Sequence, residues 1–275
     1  MDKPDSIWTS WHPNGKMKSK ESYQQGRKNG EWLYWYENGN PESKGFFKND
    51  LKDGVIESYF LDGKLSISGI YCLDKKCGNW KEFYSNGKPK VEKEYKDTVE
   101  YLLNVWNDSG IQSVKNGYGK FQLVWPSGII RAQGNYENGR QNGKWVYFHP
   151  DGRLNFDIEY RSGEMIGKYL QYYEEGLKSA EGTYEKGEKN GTWVWYYKGG
   201  KKEMEGFFTA GKKSGIWNFW FENGNKESTG GYKEDLQEGE WTYWYKAGAV
   251  WKKGMYKNNQ KTSNILNSPI AFVNY

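Results

Sequence analysis

Aromatic and polar residues alternate along this chain in short runs, and a glycine cuts each run at a nearly fixed interval. Residues 29–39, NGEWLYWYENG, place Trp32, Tyr34, Trp35 and Tyr36 within five consecutive positions and close on Asn38-Gly39. The run returns as NGTWVWYYKGG ending at Gly200, SGIWNFWFENG ending at Gly224 and EGEWTYWYKAG ending at Gly248. Alternating apolar runs around an Asn-Gly dipeptide are the strongest short-range hairpin signal. The pattern therefore predicts strands and turns.

When each copy is numbered from the residue nine before its closing glycine, position 0 falls at 6, 30, 54, 78, 101, 119, 143, 167, 191, 215 and 239. The step is 24 residues except from 78 to 101 (23) and from 101 to 119 (18). Position 9 is glycine and position 17 aromatic in all eleven copies, from Gly15 and Tyr23 to Gly248 and Tyr256. Tryptophan holds position 2 in seven copies and glycine position 15 in seven. A two-residue turn at positions 8 and 9 pairs 2 with 15 and 0 with 17. If positions 18–23 form a connecting loop, position 17 pairs with the next position 0, and 15 with the next 2. Each large ring then faces a glycine. Glycine weakens a strand, and a ring laid over it offsets this by covering the bare backbone. A G1-bulge register at the Asn-Gly turn is the alternative and would scramble the pairing.

The predicted fold is all-β: an elongated, twisted, single-layer antiparallel sheet of about eleven tandem hairpins. Residues 1–5 are an N-terminal extension, 6–258 one array, and 259–275 a tail. The copy at 101–118 is atypical, with Leu103 in place of the tryptophan and the six-residue loop lost, which predicts a local kink. The tail ends in SPIAFVNY, either an edge cap or a disordered tag.

The unit G-x-W-x-x-aromatic-aromatic-x-N-G with a closing tyrosine resembles the MORN repeat, and in particular the bacterial long-array variant described as antitoxin-like or immunity-like. The resemblance covers about residues 6–258. It implies a hairpin array that acts as a scaffold with protein or lipid contacts.

Composition changes the picture in two ways. A chain poor in Leu, Ile and Val would ordinarily suggest disorder, but 15 Trp, 23 Tyr and 12 Phe supply large buried areas instead. The net charge of +5 comes from interspersed lysine and glutamate, which is a solvated surface and not the concentrated basic patch of a nucleic-acid binder. No apolar run approaches the length of a transmembrane helix, and MDKPDSIW lacks an apolar signal region. The expected location is cytoplasmic. Export to the cell envelope is the alternative if a signal has been removed and Cys72 and Cys77 are oxidised.

Candidate chemistry is sparse. His12 and His149 both occupy position 6 before proline, where other copies place an aromatic ring, and no partner converges on them. No catalytic, cofactor or metal-binding set breaks the repeat, so an enzyme is not expected. Cys72 and Cys77 sit at positions 18 and 23, close enough across the connecting loop for a disulfide; free thiols are the equal alternative. Position 5 is the informative exception. Its parity puts it on the face opposite positions 2, 4 and 6, and its expected neighbours at position 12 are mostly polar (Lys18, Glu42, Ser66). An exposed aromatic row there marks a partner-binding site, assigned to Tyr172, Tyr196, Trp220, Trp244, Trp35 and Trp11. Rings shielding both faces of a single sheet are the alternative. The expected function is a non-catalytic scaffold binding a protein, as a bacterial antitoxin or immunity protein. The runner-up is an envelope or extracellular protein whose row contacts polysaccharide or peptide. Lipid or glycan contact is a less favoured partner.

Overall fold

The computed structural model describes residues 6–267, and every regular element in that span is a β-strand. The chain packs as two units, one of Met1–Phe121 with Asn135–Arg140, the other of Gln122–Gly134 with Gln141–Tyr275. In each unit, antiparallel strands that follow one another in the chain form tandem hairpins. One further strand, Gln260–Asn267, pairs with Val250–Lys257 beyond the last predicted hairpin. The extension 1–5 and the SPIAFVNY run lie outside the described residues.

The tips correct the predicted turn. In the first copy the Gly15 N–H donates to the His12 carbonyl at 2.9 Å, and the His12 N–H to the Lys16 carbonyl at 2.8 Å. That is a three-residue loop closed by a glycine in the left-handed region (Gly15 φ +80°), the G1-bulge form. The Asn14 side chain supports it by accepting the Lys16 N–H at 3.0 Å. This turn shifts the register by one residue, yet the predicted ring–glycine pairs survive. A second bulge at position 12 takes the shift back: Trp11 pairs with Met17, whereas Ser10 pairs with Ser19. Further from the tip, Trp193 faces Gly206 and Gly191 faces Phe208, as the period requires.

The connecting loop is also corrected. Positions 18–23 form a second hairpin, closed by a two-residue turn at positions 19 and 20 with both residues at positive φ, such as Gln25 (50°) and Gly26 (75°). Tyr184 therefore pairs with Lys189 (position 22), not with the next position 0. Positions 0 and 1 bulge out on this side, and the register resumes at Glu181 with Val194. The left-handed φ at Gly191 (+78°) belongs to that bulge.

The short copy keeps its connecting turn, at Asn116 and Gly117, and loses strand instead: Gln112–Lys115 is four residues long. Tyr118 is consequently not the closing ring. It starts the next strand opposite Lys115 and is 50% exposed. The apolar residue facing Lys93 is Leu102, buried, one place before the expected Leu103.

The core is a row of rings over glycines. Trp145, Trp193, Trp217 and Trp241 are almost fully buried. A Cβ built on Gly134, Gly182, Gly206 or Gly230 would stand 2.1–2.3 Å from the facing indole, so each ring lies directly on bare backbone. Neighbouring rings close the sides. Tyr184 meets Trp193 edge-on at 5.1 Å, Trp195 stacks on it at 5.6 Å, and the Lys189 ammonium sits 4.4 Å from its centroid. Burial lowers the Lys189 pKa, and Lys213 nearby adds to this.

The same burial makes stability sensitive to alkali. Desolvation pushes the Tyr169 phenol up to about 12, with Tyr184 adding to it. Tyr196 also rises to about 12, first through burial and then through the hydrogen bond it donates to Glu181. An unfolded tyrosine ionises near ~10. The folded chain keeps protons that the unfolded chain releases between these values. This contribution is whole below pH ~10 and is lost as pH rises through the folded pKa. The urea midpoint should hold up to pH ~10 and fall above it; a midpoint unchanged to pH ~11.5 would contradict the burial of these phenols.

Candidate partner-binding face

Position 5 falls on the face opposite the core rings, as its parity requires. In the second unit Tyr172, Tyr196, Trp220 and Trp244 are half-buried, whereas the position 2 indoles Trp193, Trp217 and Trp241 of the last three of these repeats are buried; position 2 beside Tyr172 is the half-buried Tyr169. In the first unit Trp35 is half-buried and Trp11 is 57% exposed. The compensating bulge changes the neighbours of this row. Position 5 pairs with position 11, not 12: Tyr172 with Lys178, Tyr196 with Lys202, Trp220 with Lys226. The same lysines reach the ring of the following repeat. Lys178 lies 5.7 Å from Tyr196, Lys202 5.7 Å from Trp220, and Lys226 5.8 Å from Trp244. Each of Tyr196 and Trp220 thus stands between two lysines.

Carboxylates complete the face. Lys178 pairs with Glu181 at 3.0 Å and Lys202 with Glu205 at 2.5 Å. Glu181 also accepts the Tyr196 hydroxyl, and those two hydrogen bonds hold its carboxyl below the usual carboxylate range against the opposing effect of burial. The resulting surface alternates flat aromatic area with fixed charges of both signs. It offers cation–π and hydrogen-bonding contacts to a partner but no nucleophile or acid–base pair. Sequence reasoning found the rings through their period. It missed the lysines, because position 11 is occupied by Met17, Pro41 and Leu65 in the early copies and is cationic in only three, at Lys178, Lys202 and Lys226, before Val250 in the last.

The two histidines have a structural role. Nε2 of His12 donates to the Trp35 carbonyl at 2.7 Å, and Nε2 of His149 to that of Tyr172 at 3.0 Å. Tyrosines at position 6 make the same link: Tyr36 to the Tyr59 carbonyl at 2.8 Å and Tyr197 to that of Trp220 at 2.7 Å. Where position 6 carries a donor, it ties one tip to the next; Phe60 and Phe221 have none to give. Replacing Tyr197 with Phe should cost about 1 kcal/mol, the net value of one hydrogen bond, measured by urea unfolding; no loss would show that water replaces the tie. Cys72 and Cys77 are joined as a disulfide with Cα atoms 5.9 Å apart. They lie diagonally across the connecting hairpin, Cys72 opposite Lys75 and Cys77 opposite Ile70. Among the described residues no group of three or more His, Cys, Asp or Glu is placed to hold a metal.

This geometry is that of a hairpin-repeat array with one face packed and the other carrying half-buried rings among charged side chains. The pattern of the MORN repeat variant matches residues 4–25, 28–49, 76–97, 189–210 and 237–258. Five segments of the chain thus match repeats of the MORN type. No curated protein matches the chain. Among solved structures it is similar to a chain of TcdB2-TccC3-Cdc42, at 9% identity and a TM-score of 0.21, over 90% of this chain and 15% of that one. It is also similar to TcdB2-TccC3 without its hypervariable C-terminal region, at 9% identity and a TM-score of 0.22, over 94% and 18%. A third is a Photorhabdus luminescens Tc holotoxin pore, at 10% identity and a TM-score of 0.20, over 91% and 15%. The chain spans less than a fifth of the length of these chains, and a likeness this slight carries no argument about function.

Proposed function

We propose that the chain is a non-catalytic scaffold that binds a protein partner along the position 5 row, most strongly from Tyr172 to Trp244. The observation that carries this reading is the contrast between the two faces. Trp193, Trp217 and Trp241 at position 2 are buried over glycine, whereas Tyr196, Trp220 and Trp244 at position 5 keep exposed area and stand among Lys178, Lys202 and Lys226. Tryptophan and tyrosine on a rigid face are favoured interface anchors, and acidic groups on the partner would complement the lysines. The finer form of the proposal is a bacterial antitoxin or immunity protein acting in the cytoplasm, with the resemblance of the repeat unit as its support.

Replacing Trp220 and Trp244 together with Ser should abolish capture of the partner from source cells while shifting the melting temperature by only about 2 °C or less, as expected of rings outside the core. Parallel pull-downs with mass spectrometry and a thermal melt decide it. Collapse of the fold would make position 5 core and end the assignment.

The Cys72–Cys77 bond favours a second reading, in which the row stacks on polysaccharide or peptide in the envelope or outside the cell. Alkylation of the chain in intact cells separates the two. Protected cysteines support the second reading, and modified ones the first.

A further inference from the structure

Seven repeats carry an indole at position 2, but the third has Ile56 there. The neighbours that hold the indole elsewhere are still present. Trp193 rests on Gly182, meets Tyr184 and Phe208 edge-on, packs against Tyr169 at 5.4 Å, and is covered by Lys189. The equivalents around Ile56 are Gly45, Phe47, Tyr71, Trp32 and Lys52, and all five line one cavity of about 200 Å³. Ile56 does not fill it. A Cβ on Gly45 would stand 3.6 Å from the isoleucine, against 2.2 Å from the indole at Gly182. Lys52, whose counterparts Lys28, Lys76, Lys189 and Lys213 lie 3.7–4.6 Å from a tryptophan centroid, sits 5.0 Å from Tyr71 instead. The strand is interrupted at Asp53, between Leu51–Lys52 and Gly54–Tyr59, beside this cavity.

A polar feature points the same way. In four copies the indole N–H donates to the carbonyl ten residues earlier: Trp80 to Ile70 (3.1 Å), Trp193 to Thr183 (3.1 Å), Trp217 to Phe207 (3.3 Å) and Trp241 to Gly231 (3.1 Å). The carbonyl in that place here belongs to Phe46, which lines the cavity and accepts the Asp53 N–H at 2.9 Å. An isoleucine gives it no second donor. The site therefore retains aromatic walls, a glycine floor, a cationic cover and an acceptor for a ring N–H, without the ring.

We infer that this cavity binds an indole, either as a free small molecule or as a tryptophan side chain presented by a protein. A cavity of about 150 Å³ lined by apolar side chains holds a benzene ring, so the space suffices. The inference is independent of the position 5 row, which lies on the other face.

Calorimetric titration of the full chain with indole, 1-methylindole and N-acetyltryptophanamide tests it, beside the Ile56→Trp variant. Indole should bind at one saturable site. 1-Methylindole, which cannot donate to Phe46, should bind about tenfold more weakly, the equivalent of one hydrogen bond. Ile56→Trp should restore the repeat's own ring, melt no lower than the native chain and bind no indole. N-Acetyltryptophanamide binding as tightly as indole assigns the site to a protein's tryptophan; binding of indole alone assigns it to the free molecule. The inference is overturned by the absence of saturable binding with every probe at millimolar concentration, by equal affinity for 1-methylindole, or by a folded Ile56→Trp chain that still takes up indole. Loss of the β-sheet circular dichroism spectrum in Ile56→Trp overturns it too, because a cavity shaped for an indole must accept one.

Discussion

Trp217→Ala should destabilise its unit by about 3–5 kcal/mol, the range for truncating a fully buried aromatic. The ring has no exposed area, and four other rings surround it: Phe208 at 5.1 Å, Tyr232 at 5.8 Å, Trp195 at 5.9 Å and Phe219 at 6.1 Å. Removing it strips Gly206 of its cover, leaves the Phe207 carbonyl without the indole N–H, and takes the aromatic face from Lys213. Those neighbours are fixed by backbone pairing and cannot collapse into the space, which puts the cost toward the upper part of the range. Repeat units depend mainly on their nearest neighbours. The loss should therefore appear as early hydrogen exchange in Lys202–Lys233, well before exchange around Trp145. A loss below about 1 kcal/mol in urea would show that the indole contributes little burial.

What the sequence made legible follows from what a period can carry. The ring–glycine pairs were readable because both partners recur every 24 residues and the chemistry of each is distinctive. The tip geometry was not, because Asn-Gly serves both a two-residue turn and a three-residue loop ending in left-handed glycine. Nothing marked the bulge that restores register, since position 12 holds residues as different as Lys18, Glu42 and Ser66. The second hairpin hid for a related reason. Its left-handed pairs include Asn49-Asp50, Leu73-Asp74 and Asp97-Thr98, which contain no glycine. The first two are held by neighbouring turns: the Asp50 N–H donates to the Lys28 carbonyl at 2.9 Å while the Asp50 carboxylate accepts the Lys28 N–H at 2.8 Å, and Asp74 makes the same two bonds with Lys52. Such a contact between residues 22 apart is invisible to a reading of local dipeptides. In the short copy the same blindness displaced Tyr118 and Leu103 from their true places. The position 5 row was found by parity alone, which survives both bulges because the strand from position 2 to position 5 is regular. The lysines beside it depended on knowing which residue the bulge pushes out.

The ring–glycine arrangement makes a prediction whose sign is opposite to the usual one. Gly206→Ala within a strand ordinarily gains about 0.5–1 kcal/mol through reduced backbone freedom. Gly206 has no left-handed φ to forbid a side chain. The new methyl, however, would stand 2.1 Å from Cδ2 and 2.2 Å from Cε2 of Trp217, in the body of the indole and not at the end of a flexible chain. The ring cannot withdraw, because Phe208, Tyr232 and Trp195 hold its sides and its N–H is engaged by Phe207. Overpacking of this kind costs about 1–3 kcal/mol or more, so Gly206→Ala should destabilise by about 2–3 kcal/mol net. The Trp217→Ala background tells steric conflict from a backbone effect. With the indole gone, the same Gly206→Ala change should be neutral or stabilising, giving a coupling energy of at least about 2 kcal/mol in a double-mutant cycle. Additive effects in that cycle would mean that the glycine is needed for its own conformation, and the account of the core as rings laid on bare backbone would be wrong.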